Sequence, residues 1–236
     1  MHSAAARREQ DILALWDRAA GRARRQRDDA LFTAAGAAPT DSIGAGNAAL
    51  LILRTKLFGA PWQLRAACPA CHTDCEFVAD SAVLADGLAP PADAAPPRIA
   101  LGDNELTLRV PALSDLAGLA AAPDRVAAAQ SLLTRCLGDA TPAALDQDAL
   151  DRIEAELERC DPGAIVAFAL DCPDCNHTWQ AVIDIAPALW VEVQAAAERS
   201  LLEVDALARE YGWSEAEVLA LPRARRAAYL QLVGAS

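Results

Sequence analysis

Two short runs carry the chemistry of this chain, Cys68-Pro69-Ala70-Cys71 and Cys172-Pro173-Asp174-Cys175. A C-P-x-C turn presents two thiolates from one tight bend. Two such turns facing each other complete a tetrahedral four-cysteine site with zinc–sulfur bonds of about 2.3 Å. The flanks repeat as well: residues 64–79, LRAACPACHTDCEFVA, and 168–183, FALDCPDCNHTWQAVI, each read as strand, knuckle, strand. One turn alone says little. Two that share the proline and the strand context predict one structural Zn2+ held by Cys68, Cys71, Cys172 and Cys175. A thioredoxin-type redox pair would sit at a strand-to-helix junction, whereas both exits here read as strands. Because the halves lie about a hundred residues apart, the metal would close a large loop.

The other sulfur and imidazole groups read more plainly. Cys75 could replace a ligand, but on the strand after the first knuckle it reads as a small core residue. Cys136 and Cys160 fall on apolar helical faces and read as core. His72 and His177 flank the knuckles; either could substitute as a ligand or hydrogen-bond a thiolate, and with four cysteines filling the site the simpler reading is an exposed neighbour. A filled four-thiolate site has no open position for water or substrate, so it activates no nucleophile. The chain has only three histidines, no phosphate-binding Gly-rich loop, no G-x-S-x-G and no H-E-x-x-H. These features predict a non-catalytic protein.

Composition narrows the class further. The 236 residues are 53% apolar and only 5% aromatic, with a formal net charge of −12. That is enough chain to bury a core without disulfides. The acidity disfavours nucleic acid and anionic membranes as partners. Arg22, Arg24, Arg25 and Arg27, and Arg223, Arg225 and Arg226, lie among acidic neighbours on predicted helices and read as solvated faces. No apolar run approaches the about 18 residues of a membrane span, and Met1 to Gln10 has no hydrophobic signal core. The expectation is a cytoplasmic protein whose cysteines stay reduced.

The elements that must position the knuckles can be read from periodicity. Helices are predicted over 8–20, 28–35 and 46–58, the last stopped by Gly59 and Pro61. Strands over 62–67 and 76–79 flank the first knuckle. Residues 85–97, ADGLAPPADAAPP, read as an extended tether. A hairpin over 98–110 turns at Gly102, Asp103 and Asn104, and helices follow at 113–121, 124–137 and 146–160. Strands 165–170 and 178–184 flank the second knuckle. From Pro187 onward the pattern is helical, with a stop at Gly212, a capping box at Ser214 and Glu217, and a last helix after Pro222. The predicted fold is therefore α+β and mostly helical: a split four-cysteine zinc ribbon with a helical insert in a body of residues 1–186, then a helical C-terminal tail, 187–236.

Several runs also resemble the T-even-phage-type baseplate protein family, whose relatives occur in contractile phage tails and contractile injection systems. They include Leu50-Leu51-Ile52-Leu53-Arg54 with Leu57-Phe58-Gly59, Cys68-Pro69-Ala70-Cys71 with Glu76-Phe77, and Arg109-Val110-Pro111 with Asp115-Leu116. Leu132-Leu133-Thr134-Arg135-Cys136, Asp161-Pro162 and Cys172-Pro173-Asp174-Cys175 with Trp179 continue the match. Toward the C-terminus it runs through Leu201-Leu202-Glu203-Val204, Tyr211-Gly212-Trp213-Ser214-Glu215, Arg225-Arg226 and Tyr229-Leu230. Gly46-Asn47 stands where relatives tend to have Arg-Asp, Asp205 where many have His, and His72 and Asn176 where Gly is usual. The resemblance implies a structural part or assembly helper of a contractile-tail baseplate, partnered by other baseplate or hub proteins. On this reading Trp190, Tyr211, Trp213 and Tyr229 are candidate anchors for a partner. The rival reading of the same zinc motif is a nucleic-acid-binding or transcription accessory module, which the charge disfavours.

Overall fold

The structure, a computed structural model, describes residues 4–89, 96–101, 104–137 and 145–234. It is a mostly helical α+β protein with small antiparallel sheets. In chain order come α1 (Ala4–Ala19), α2 (Arg24–Ala35), α3 (Ile43–Phe58), β1 (Pro61–Ala67), β2 (Asp74–Asp80), α4 (Ser81–Leu88), β3 (Arg98–Leu101) and β4 (Asn104–Thr107). They are followed by α5 (Arg125–Leu137), α6 (Gln147–Cys160), β5 (Ala167–Asp171), β6 (Thr178–Val182), α7 (Ile185–Tyr211), α8 (Glu215–Ala220) and α9 (Arg223–Gly234). Among the described residues the sheets are three separate hairpins, β1–β2, β3–β4 and β5–β6. No helix of the described residues is long and apolar enough to cross a membrane.

The chain packs as two compact units. One takes in the residues up to Ala34, Lys56–Phe58 and those from Ala186 on; the other holds Ala35–Thr55 and Gly59–Ile185. The N-terminal helices, expected in the body of residues 1–186, thus group with the C-terminal helices. A buried ion pair explains this. Glu9 on α1 accepts hydrogen bonds from Arg226 Nη2 on α9, at 2.6 and 2.8 Å, and from Ser200 Oγ on α7 at 2.7 Å. Arg226 is fully buried, and Glu203 lies 3.3 Å from its Nε. A charge so placed is tolerable only with its partner in position. Burial works to raise the Glu9 carboxyl, but the Arg226 and Ser200 hydrogen bonds outweigh it and hold it below its ordinary value.

In the other unit, α3 serves as a spacer with an anchor near each end. Ser42 caps its start, accepting from the Ala45 N–H at 3.1 Å. The buried Asp161 carboxylate then accepts from Ser42 Oγ at 2.8 Å and from the Gly44 N–H at 2.9 Å, where the helix dipole favours negative charge. Asn47 Nδ2 donates to the Gly163 carbonyl at 2.9 Å. At the far end the Arg54 guanidinium donates to the carbonyls of Gly59 at 2.6 Å and Pro61 at 2.9 Å and lies over the buried Trp62 ring. One helix therefore fixes both the segment that enters β5 and the segment that enters β1. The β3–β4 hairpin is backed by Ile99, Leu108, Leu137 and Ile153.

Three expectations need correction. The helix expected over 113–121 is two 3-10 turns, Leu113–Leu116 and Leu119–Ala121, broken at Gly118, whose φ is 85°. Asp115 there accepts from Arg109 Nη2 at 2.8 Å and from the Ala112 N–H, which fixes the tighter turn. Of the tether expected over 85–97, residues 85–88 instead belong to α4, capped by Asp80, with Ala85 buried. Residues 90–95 of it, like the turn residues Gly102 and Asp103, lie outside the described residues. Helix α2 begins a turn earlier than 28, where Arg24 and Arg25 pair with Asp28 and Asp29.

Two outcomes follow. A Cβ at Gly163 would lie 2.5 Å from the Leu88 carbonyl oxygen and 3.0 Å from Gly44 Cα, whereas one at Gly87 meets nothing within 4 Å. Gly163→Ala is expected to cost about 1–3 kcal/mol in urea unfolding, and Gly87→Ala to be neutral or stabilising by up to about 1 kcal/mol. For the buried pair, Arg226→Ala is expected to cost about 3–5 kcal/mol. Because the Glu9 carboxyl is lowered in the fold, its contribution is complete above its ordinary value and is lost as pH falls through the folded one. Glu9→Gln should flatten that acid limb in stability measured against pH.

Candidate metal centre

Each knuckle is built the same way. In the first, the His72 N–H donates to the Cys68 carbonyl at 2.9 Å and the Cys68 N–H to the Thr73 carbonyl at 2.9 Å. In the second, the Asn176 N–H donates to the Cys172 carbonyl at 2.9 Å and the Cys172 N–H to the His177 carbonyl at 3.0 Å. The residue after each second cysteine lies in the left-handed region, His72 at φ 63° and Asn176 at φ 57°. Asn and His enter that region more readily than most side chains, though less readily than glycine. The hairpins supply the arms: Ala67 pairs with Asp74 at the mouth of the first knuckle, and Asp171 with Thr178 at the mouth of the second.

The structure brings all four expected cysteines together. The sulfurs of Cys68, Cys71, Cys172 and Cys175 all lie within 4.8 Å of one another. Cys68 Sγ is 3.7 Å from Cys175 Sγ, and Cys71 Sγ is 3.5 Å from Cys172 Sγ. A tetrahedron of sulfurs about 2.3 Å from a central metal has edges of about 3.8 Å, so the cluster fits a bound ion. Cys68 and Cys172 are buried while Cys71 and Cys175 are exposed. Phe77 and Phe168, one from each hairpin, pack with ring centroids 5.0 Å apart.

Electrostatics divide the thiols. Hydrogen bonding with the Thr73 side chain, whose Oγ1 lies 3.4 Å from Cys71 Sγ, and then with the Thr73 backbone N–H brings the Cys71 thiol down to about 6. The His177 backbone N–H likewise favours a thiolate at Cys175, but the adjacent Cys71 sulfur and burial outweigh it and push Cys175 up to about 12. Four thiolates this close repel one another, and a divalent cation is what would let all of them ionise together.

The remaining candidates fall outside the cluster. Cys75 is buried beside Cys68 and Cys172 with its sulfur 3.7 Å from the Thr73 carbonyl oxygen. It is a core residue, and burial first, then the Cys172 thiol, raise it. Trp179 packs against the same three cysteines. Neither His72 nor His177 belongs to the ligand group, and His177 lies nearly parallel to the Trp179 ring. Cys136 and Cys160 are buried, as their helical faces predicted. Trp190 is buried with the Arg27 guanidinium 5.5 Å from its ring centroid, so it packs its own unit rather than presenting an anchor. Tyr211, Trp213 and Tyr229 gather at the surface, with centroids 4.8 to 5.5 Å apart.

One polar link had no advance reading: Thr73 Oγ1 donates to Asp174 Oδ2 at 2.7 Å, joining the knuckles outside the sulfurs. The chain was also compared with family models, curated proteins and solved structures, and none matches.

Titration with Co2+, which reports tetrahedral sulfur ligation by its visible bands, should saturate at one equivalent. Cys75→Ala is expected to leave that endpoint and spectrum unchanged. Cys172→Ser should lose the four-sulfur spectrum.

Proposed function

We propose that this protein is a non-catalytic, zinc-dependent structural or assembly component of the baseplate of a contractile, phage-tail-like particle. The observation that carries the metal half of this reading is the convergence of four cysteine sulfurs from two like-built knuckles. Four soft thiolates in a tetrahedral set suit Zn2+. The two hairpins then form a zinc ribbon split by a helical insert. All four coordination positions are taken by protein, so the ion cross-links rather than catalyses.

The baseplate half rests on the sequence resemblance, and the roles of the resembling residues support it. Arg54 gathers the carbonyls that lead into β1, Asp161 caps α3, Arg109 pairs with Asp115, and Arg226 holds Glu9. The shared residues are thus those that hold the fold, as expected of a structural part. The cluster of exposed Tyr211 with half-buried Trp213 and Tyr229 is the partner anchor on this reading: aromatics pre-packed on one another lose little entropy on docking.

Elemental analysis is expected to find one zinc per chain. Its removal by a chelator should lower the melting temperature markedly, since binding free energy at such sites is folding free energy, about 10 kcal/mol or more in zinc-finger peptides. An unchanged melt after verified zinc loss would contradict the structural role. For the partner, co-expression with proteins encoded alongside should give a pull-down that Trp213→Ala together with Tyr211→Ala abolishes. Point substitution is the cleaner test, because removing α7 to α9 would strip Glu9 of its partner.

A further inference from the structure

We propose that the cluster is also a site of oxidative modification whose sulfurs are pre-paired across the two knuckles, Cys68 with Cys175 and Cys71 with Cys172. A peroxide then replaces the metal cross-link with two disulfides that join the same two arms. The metal-release part rests on the zinc reading above; the pairing does not.

Three observations lead here. Cys68 Sγ approaches Cys175 Sγ to 3.7 Å and Cys71 Sγ approaches Cys172 Sγ to 3.5 Å, and both approaches cross from one knuckle to the other. Each pair also joins unlike partners: Cys175 and Cys71 are exposed, whereas Cys68 and Cys172 are 0% and 1% exposed. An oxidant therefore reaches one sulfur of each pair while the other waits beside it, the arrangement of a sensor thiol with its resolving thiol. Finally, Thr73 Oγ1 bonded to Asp174 Oδ2 and Phe77 packed on Phe168 hold the knuckles together apart from the sulfurs. Loss of the ion leaves those contacts in place while the disulfides form.

The chemistry balances without further reactants. The exposed thiolate attacks one oxygen of hydrogen peroxide, the O–O bond breaks, and hydroxide leaves and takes a proton to become water. The resulting sulfenic acid is attacked by the buried thiolate; the S–S bond forms, the S–O bond breaks, and a second hydroxide leaves as water. Each pair is oxidised by two electrons and one peroxide is reduced to two waters. Two peroxides oxidise the whole cluster, and with no thiolate left the metal departs. Cys75, buried and turned toward the Thr73 carbonyl, stays a thiol.

The test uses the full chain, analysed for zinc and then exposed to excess hydrogen peroxide. Released metal is read with a chromogenic chelator, and disulfides are mapped by mass spectrometry of a non-reduced digest. Expected are one zinc released per two disulfides formed, peptides of the two knuckles cross-linked to each other, and Cys75 reduced. Cys71→Ser should retain a Cys68–Cys175 bond with Cys172 free, and Cys68→Ser a Cys71–Cys172 bond with Cys175 free. Should either variant fail to fold, the cross-linked peptides of the unsubstituted chain still decide the matter. Disulfides closed within each knuckle, bonds to Cys75, the opposite cross-pairing, or four thiols surviving the oxidant would each overturn the proposal. Protein purified without zinc that forms the expected cross-links would retain the pairing and overturn only the metal reading.

Discussion

The carboxylate of Asp161, seated at the head of α3, governs where the second half of the cluster can lie. It accepts a backbone N–H and the capping hydroxyl of the same helix terminus. Charge-assisted bonds of this kind, in a buried setting, are worth more than neutral ones and are costly to leave unmade. The position is tightened by two glycines whose backbones touch, Gly44 and Gly163, where no side chain fits on either. The far end of α3 is fixed independently through Arg54. The distance between the two knuckle entrances is thereby set by the length of a helix, a far stiffer ruler than the polypeptide between them. The sulfurs do not have to search for each other; their arms are already aimed.

The four-cysteine cluster was legible in the sequence because both its spacing and its flanks are duplicated. A local pattern reads well when its physics is local: a tight turn, two thiols, two strands. The cap at Ser214, the stop at Gly212 and the hairpin after Pro97 were readable for the same reason. The Asp161 anchor was not, since a lone aspartate before a proline carries no sign that its partner stands 117 residues earlier. The same holds for Glu9, which on α1 looks like one more solvated acid until Arg226 is placed against it. The helix expected at 113–121 failed where a side-chain pair, Arg109 with Asp115, overrode local propensity.

The grouping of the units follows from these long-range pairs rather than from composition. Alanine-rich helices offer little to distinguish one apolar face from another, so hydrophobic pattern alone leaves their partners open. A buried guanidinium facing two glutamates, one of which also accepts from a serine, does not permit that freedom. It specifies which helices meet, at some expense in stability compared with an apolar contact. A similar division of labour runs through the other unit, where leucines and isoleucines back the β3–β4 hairpin while polar anchors set the register.

The wide separation of the two knuckles also imposes an order on synthesis. The first knuckle leaves the ribosome with two thiols and no partners. At about 5–20 residues per second, the second follows about 5–20 s later. Through that interval the nascent chain carries half a site, able to hold a metal only weakly or to be captured by another thiol. The Glu9–Arg226 pair waits longer still, since its members stand 217 residues apart. A cell making this protein must therefore shelter one open knuckle and one unpaired helix for most of each round of translation, and slow decoding between the knuckles would lengthen that exposure.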